Sequence, residues 1–112
     1  MSGIEPKFIS RPKVAGSLKI GDSVTVQCEI RADPPPDIAW KIGNSEIKKS
    51  DSNYKIESLE KDDFVTEYSI TIKSIAKKDN GKAQIAAKNI LAEVTCPFSI
   101  IVEDNAGNNF EN

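Results

Sequence analysis

Histidine is absent from this 112-residue chain, and cysteine occurs only twice, at Cys28 and Cys96. Without imidazole there is no Ser-His-Asp or Cys-His nucleophile system, no paired-His zinc protease site and no usual zinc-finger ligand set. Two distant cysteines cannot make a metal site alone. Nor are they the dense, even framework of a small secreted scaffold. No Gly-rich phosphate loop occurs, because the GDS at Gly21 and the DNG at Asp79 are turn sequences lacking Gly-x-x-x-x-Gly-Lys spacing. No apolar run approaches the roughly 18 residues that cross a bilayer. The opening MSGIEPKFIS has no apolar core of a secretion signal, and no Asn-x-Ser/Thr glycan acceptor is present.

What remains is ordinary for a water-soluble domain. The hydrophobic fraction is 38% and the charged fraction 29%, enough to form one core. The length suits a single domain, since independent domains commonly run roughly 100–150 residues. A formal net charge of -2 gives no general attraction to nucleic acid or anionic lipid. The pairs Lys48-Lys49 and Lys77-Lys78 have no aromatic neighbour to stack a base and read as solvated turns. Asp62-Asp63 reads as an exposed turn rather than an acid–base pair, and EKDD lacks the alternating oxygen ligands of a calcium loop. The expectation is a protein without catalysis, metal or cofactor.

Turn signals recur along the chain, and the runs between them alternate with period two. In GDSVTVQCEI, Val24, Val26, Cys28 and Ile30 fall on one face and Ser23, Thr25, Gln27 and Glu29 on the other. After the Pro-rich corner RADPPPD, Ile38, Trp40 and Ile42 share a face, and Gly43-Asn44 turns the chain. Tyr54 and Ile56 are inward candidates, followed by Tyr68, Ile70 and Ile72, with Ile75 closing below. KKDNG reads as a tight turn whose Asn-Gly favours positive φ. Ala83, Ile85 and Ala87 then face the core. Val94, Cys96, Phe98, Ile100 and Val102 alternate along a last strand, which Pro97 marks as an edge strand or a bulge.

In order and at these spacings, the pieces resemble an immunoglobulin domain of the intermediate (I) set, as found in titin, twitchin and myosin-binding protein C. PKFISRP resembles the A strand, and GSLKIGDSVTVQCEI resembles A′ and B. ADPPPDIAWKIGNSEI is similar to the family's C segment around Trp40. YSITIKSIAKKDNGKAQIAAKN resembles E, the E–F corner and F, ending in the family's Ala-x-Asn. The resemblance implies an all-β, Greek-key sandwich of two antiparallel sheets, with the domain at residues 6–103. Residues 1–5 would be a flexible extension and 104–112 a tail or linker.

Two departures from that pattern matter. Ile85 occupies the F-strand position whose cysteine would bridge to Cys28, so no B–F disulfide can form. Loss of such a bridge costs ~2–5 kcal/mol, while burying an aliphatic side chain against Trp40 contributes roughly 1.5–3 kcal/mol. The core expected from the resemblance is therefore Cys28, Trp40, Ile70, Ile72 and Ile85. Ala83 replaces a tyrosine whose hydroxyl bond is worth on the order of 1 kcal/mol. The corner at Asp79, Asn80 and Gly81 is then expected to be held less firmly. A Cys28–Cys96 bridge is disfavoured, because B and G lie in different sheets ~10 Å apart, whereas bridged Cα atoms lie about 4.4–6.8 Å apart.

By the same resemblance, the function is that of an intracellular module of a large sarcomeric protein, monomeric in isolation and located in the cytoplasm. It would be a mechanical spacer, a filament-docking domain, or both, with A′ and G zipped in parallel and the termini at opposite poles. Partners would be myosin or actin filaments, or neighbouring immunoglobulin or fibronectin type III domains. A cell-surface adhesion or receptor domain is the alternative, since fold alone does not separate the two. The candidate binding face is the outward C–F–G surface carrying Lys41, Lys82, Gln84 and Lys88. The edge near Val14 to Lys19 and the G strand would suit strand addition.

Overall fold

In the computed structural model, which describes residues 3–16 and 18–103, the period-two runs become strands. They are β1 (Ile4–Gly16), β2 (Val24–Asp33), β3 (Asp37–Ile42), β4 (Ser45–Glu46), β5 (Tyr54–Glu60), β6 (Val65–Ile72), β7 (Gly81–Lys88) and β8 (Glu93–Ile100). Two four-stranded sheets result, ordered β1-β2-β6-β5 and β4-β3-β7-β8, and every neighbouring pair is antiparallel. Each sheet turns its apolar face inward. Val24, Val26, Cys28 and Ile30 on β2 are all no more than 2% exposed, and Ile70 and Ile72 on β6 are fully buried. From the other sheet Trp40, Ile42, Ala83, Ile85, Ala87, Cys96 and Ile100 join the same core.

Trp40, Ile85 and Cys96 form one cross-strand row on β3, β7 and β8. The Trp40 indole also meets Phe98 edge-on, with ring centroids 6.2 Å apart and planes at 84°. The five expected core residues thus share one cluster. Cys28 and Cys96 are both buried free thiols. Burial chiefly, and then the neighbouring Cys96, pushes the Cys28 thiol up to about 12, which makes it inert as a nucleophile.

The first strand departs from the expected pattern in three ways. It begins at Ile4, inside the stretch 1–5 expected to be loose. It then pairs with β2 as far as Gly16, with register shifts between Ile4 and Lys7, Phe8 and Ser10, and Ser10 and Lys13. The Ser10 hydroxyl covers one irregularity by accepting the Glu29 N–H at 3.0 Å. Finally, the expected parallel A′–G ladder is reduced, among the described residues, to a single bridge between Lys19 and Glu103. Glu103 N–H donates to Leu18 C=O at 2.7 Å there. The antiparallel pairing keeps β1 in the first sheet, which leaves little of the chain free to cross to the second. The tail at 104–112 lies outside the described residues.

The corner before β7 also differs from expectation. Lys77–Asp79 is a 3₁₀ turn, and Asn80 is extended with φ -73°; the positive φ belongs to Gly81, at 117°. At the opposite pole Asn89 acts as a clasp. Its Nδ2 donates to the Ile4 and Pro34 carbonyls at 2.9 and 3.2 Å, and its Oδ1 accepts the Leu91 and Ala92 N–H groups. The chain therefore enters beside the β2–β3 and β7–β8 loops and leaves, at Glu103, beside the 3₁₀ corner.

Candidate protein-binding face

Outward positions on β3, β7 and β8 are the only places where the candidate face can be built, because the inward ones fill the core. Lys41, Gln84 and Pro97 form one row across the three strands, and Lys82 stands opposite Ser99 in the next. Together with Asn44 these side chains line an open groove of about 520 Å³. Three of the four expected face residues, Lys41, Lys82 and Gln84, are thus brought together. Glu46 lies across from Lys41 on β4, yet among the described residues no ion pair closes on Lys41 or Lys82.

Lys88 is not part of this groove. It sits at the other end of β7, opposite Asp37 on β3 and Glu93 on β8. Among the described residues no ion pair closes on Lys88 either, but Ala39, Ala86 and Thr95 form a row between it and the groove. All four residues fall on the same outward face, with Lys88 two rows away from Lys41 and Gln84.

The β3–β4 turn, whose Asn44 lines the groove, abuts the 3₁₀ corner. A side-chain Cβ on Gly43 would lie 2.1 Å from the Lys78 carbonyl oxygen, so the β3–β4 turn presses directly on that corner. Asp79 is 1% exposed, and its carboxylate accepts the Tyr54 hydroxyl through Oδ1 and the Ala76 N–H through Oδ2 at 2.9 Å. Asn80 Oδ1 accepts the Val102 N–H at 2.8 Å. These bonds anchor the corner where Ala83 cannot. Sequence reasoning found the missing tyrosine and named Tyr54 as inward, but missed its bond to Asp79, because the two lie far apart in the chain. Burial first, and then the bond to Asp79, holds the Tyr54 phenol well above the ordinary tyrosine range.

Chemically the arrangement offers cations, amides and backbone edges, the means of holding a protein surface. Among the described residues, no group of three or more His, Cys, Asp or Glu is placed to hold a metal ion. No described helix is long and apolar enough to cross a membrane.

The sheet order, the buried tryptophan and the clasped loops define a sandwich of the immunoglobulin class. The sequence matches the immunoglobulin I-set domain over residues 6–102, and the chain belongs to that family. It is 27% identical to smooth-muscle myosin light chain kinase of Gallus gallus over 93% of this chain and 5% of that protein. It is 34% identical to human myotilin over 81% of this chain and 17% of that protein. It is also 26% identical to mouse Roundabout homolog 1, over 88% of this chain and 6% of that protein. The chain therefore spans a small part of each. Among solved structures, an I-band fragment of titin superposes with a TM-score of 0.74 at 26% identity, covering 93% of this chain and 34% of the fragment. A titin–obscurin-like 1 Ig complex superposes with a TM-score of 0.75 at 19% identity, over 91% of this chain and 97% of that one.

Proposed function

We propose that this chain is a non-catalytic, protein-binding module of a large intracellular muscle protein. Its docking surface is the groove lined by Lys41, Lys82 and Gln84. The carrying observation is that groove: two lysines without an ion pair beside amide and hydroxyl groups, on a sheet face held in the β3–β7–β8 ladder. An acidic filament surface is its complement, and electrostatic attraction of this kind speeds encounter and sets orientation more than it deepens affinity. The muscle relatives and the two unbridged thiols support a cytoplasmic, sarcomeric setting. We place the folded unit at Ile4–Glu103. It is expected to be monomeric alone, with neighbouring immunoglobulin or fibronectin type III domains as partners in a larger protein.

The test is co-sedimentation with purified myosin filaments and, separately, with actin filaments across a salt series. Salt-sensitive pelleting with one of them, lost in Lys41→Glu/Lys82→Glu and kept in Lys88→Glu, is the expected result. Absence of pelleting with both overturns the docking role and leaves a spacer. The likeness to Roundabout homolog 1 favours one second reading, an adhesion or receptor domain. Mapping thiols in protein from its native cell separates the two, because a bridged form would support the second.

A further inference from the structure

The turn between β5 and β6 breaks a local rule. Val65 N–H donates to Asp62 C=O at 3.1 Å, and both central residues have positive φ, 60° at Asp63 and 64° at Phe64. Turns of that hand favour Asn-Gly or Asp-Gly, because left-handed backbone crowds a Cβ, and a bulky side chain there is rare. Phe64 stands where glycine is preferred. Its ring adds little to the core, since the residue is 56% exposed. The surroundings nonetheless fix the turn. Ala32 N–H donates to the Phe64 carbonyl at 3.0 Å, and Arg31 Nε donates to the Asp63 carbonyl at 3.2 Å. The Arg31 guanidinium also pairs with the Asp63 carboxylate at 3.5 Å. A strained residue that is held in place yet left exposed points to a use outside the fold.

The setting says what kind of partner would fit. Phe64 lines a cleft of about 230 Å³ with Pro35 and Val65, rimmed by Asp33, Glu60 and Lys61. The cations are already engaged: Lys61 bridges Glu29 at 3.4 Å and Glu67 at 4.0 Å, and Arg31 bridges Asp63. Among the described residues, no ion pair neutralises Asp33, Glu60 or Asp62. The rim is acidic around an aromatic tip.

We infer that this turn is a second docking surface, with Phe64 as anchor, for a basic segment of a protein partner that offers an apolar seat for the ring. It stands apart from the lysine groove, which lies on the other sheet at the opposite pole, and either could fail without the other. Exposed aromatic anchors carry much of the binding energy at such surfaces, and a basic partner complements the uncompensated carboxylates.

The probe is a synthetic peptide of alternating Lys and Leu, with an all-Lys peptide of equal charge as control, followed by amide NMR. Saturable shifts at residues 59–66 and 31–33 are expected with the Lys-Leu peptide, weakening as salt rises. Phe64→Asn replaces the ring with a residue that tolerates positive φ. That variant should unfold at the same temperature as the parent or higher, and bind the peptide about tenfold more weakly. A lower unfolding temperature would show that the ring serves the fold and would overturn the proposal. So would undiminished binding by the variant, equal binding of the all-Lys peptide, or no saturable shift at the turn.

Discussion

The phenol of Tyr54 on β5 donates its hydrogen bond to the carboxylate of Asp79, the last residue of the 3₁₀ turn, and so ties the first sheet to the corner that leads into the second. The same carboxylate receives the Ala76 N–H, so one buried anion holds both a strand and a turn. Removing the phenol hydroxyl leaves Asp79 buried with half its acceptors unmet. Tyr54→Phe is expected to lower stability by about 1.5–3 kcal/mol. Urea unfolding of the variant measures this, and a loss below about 0.5 kcal/mol would mean that the bond does not anchor the corner.

Gly43 and Gly21 both have positive φ, 60° and 91°, but differ in what surrounds them. A Cβ at Gly21 meets nothing within 4 Å, whereas one at Gly43 meets the Lys78 oxygen at 2.1 Å. Gly21→Ala should therefore cost only the backbone strain, about 1 kcal/mol. Gly43→Ala should cost at least about 2 kcal/mol, because the corner must also move. Thermal unfolding of the two variants side by side gives the comparison, and equal losses would contradict the contact.

Ile85 is fully buried in the row between Trp40 and Cys96. Ile85→Ala is expected to cost about 2–5 kcal/mol, and Ile85→Val about 0.5–1.5 kcal/mol. The size of the first loss measures how far the aliphatic group stands in for the missing bridge. Guanidinium unfolding curves of both variants supply it, and a near-neutral Ile85→Ala would show that the sheets close over the gap.

Alkaline pH should weaken the fold through its buried acids. The Cys28 thiol rises from 9.0 to about 12 on folding, chiefly by burial, and burial also raises the Tyr54 and Tyr68 phenols. All three stay protonated and neutral in the native state at pH values where the unfolded chain already releases protons. The unfolded state then binds fewer protons, so stability falls with rising pH. The thiol's contribution is complete below about pH 9 and lost as pH climbs through that interval to about 12. Unfolding free energy measured from neutral pH upward should bend down there, and Cys28→Ala should reduce the bend.

Local pattern made much of this architecture readable before any coordinates. Alternation on β2, β3, β6 and β7 set which residues face inward, because a half-buried strand has no other way to separate its two sides. Gly43-Asn44 announced its turn by chemistry, and both residues have positive φ. The remainder depended on distance in the chain. Nothing local to KKDNG tells that Tyr54 will reach Asp79, or that the turn winds as 3₁₀ with Asn80 extended. The pairing of β1 was missed because bulges break its period, so its residues give no clean face. Lys41 and Lys88 share a sheet face by parity, but only the β3–β7 register, which sets Lys41 beside Gln84 and Lys88 beside Asp37, shows how far apart they stand. Phe64 was hidden for the opposite reason: its sequence neighbourhood reads as an ordinary acidic turn, and the anomaly lies in its φ.

The indole of Trp40 is 1% exposed, and among the described residues its Nε1 is the one buried side-chain polar atom without a partner, whereas buried tryptophans usually find one. The chain contains a single tryptophan, so its ultraviolet emission comes from this ring without overlap from another. Packed against Ile85 and Phe98, 1% exposed and with no partner on its nitrogen, the ring is shielded from bulk water. Native protein should therefore emit at short wavelength and resist iodide quenching. The first parting of the two sheets would redden that light, giving an optical gauge of the core that needs no label.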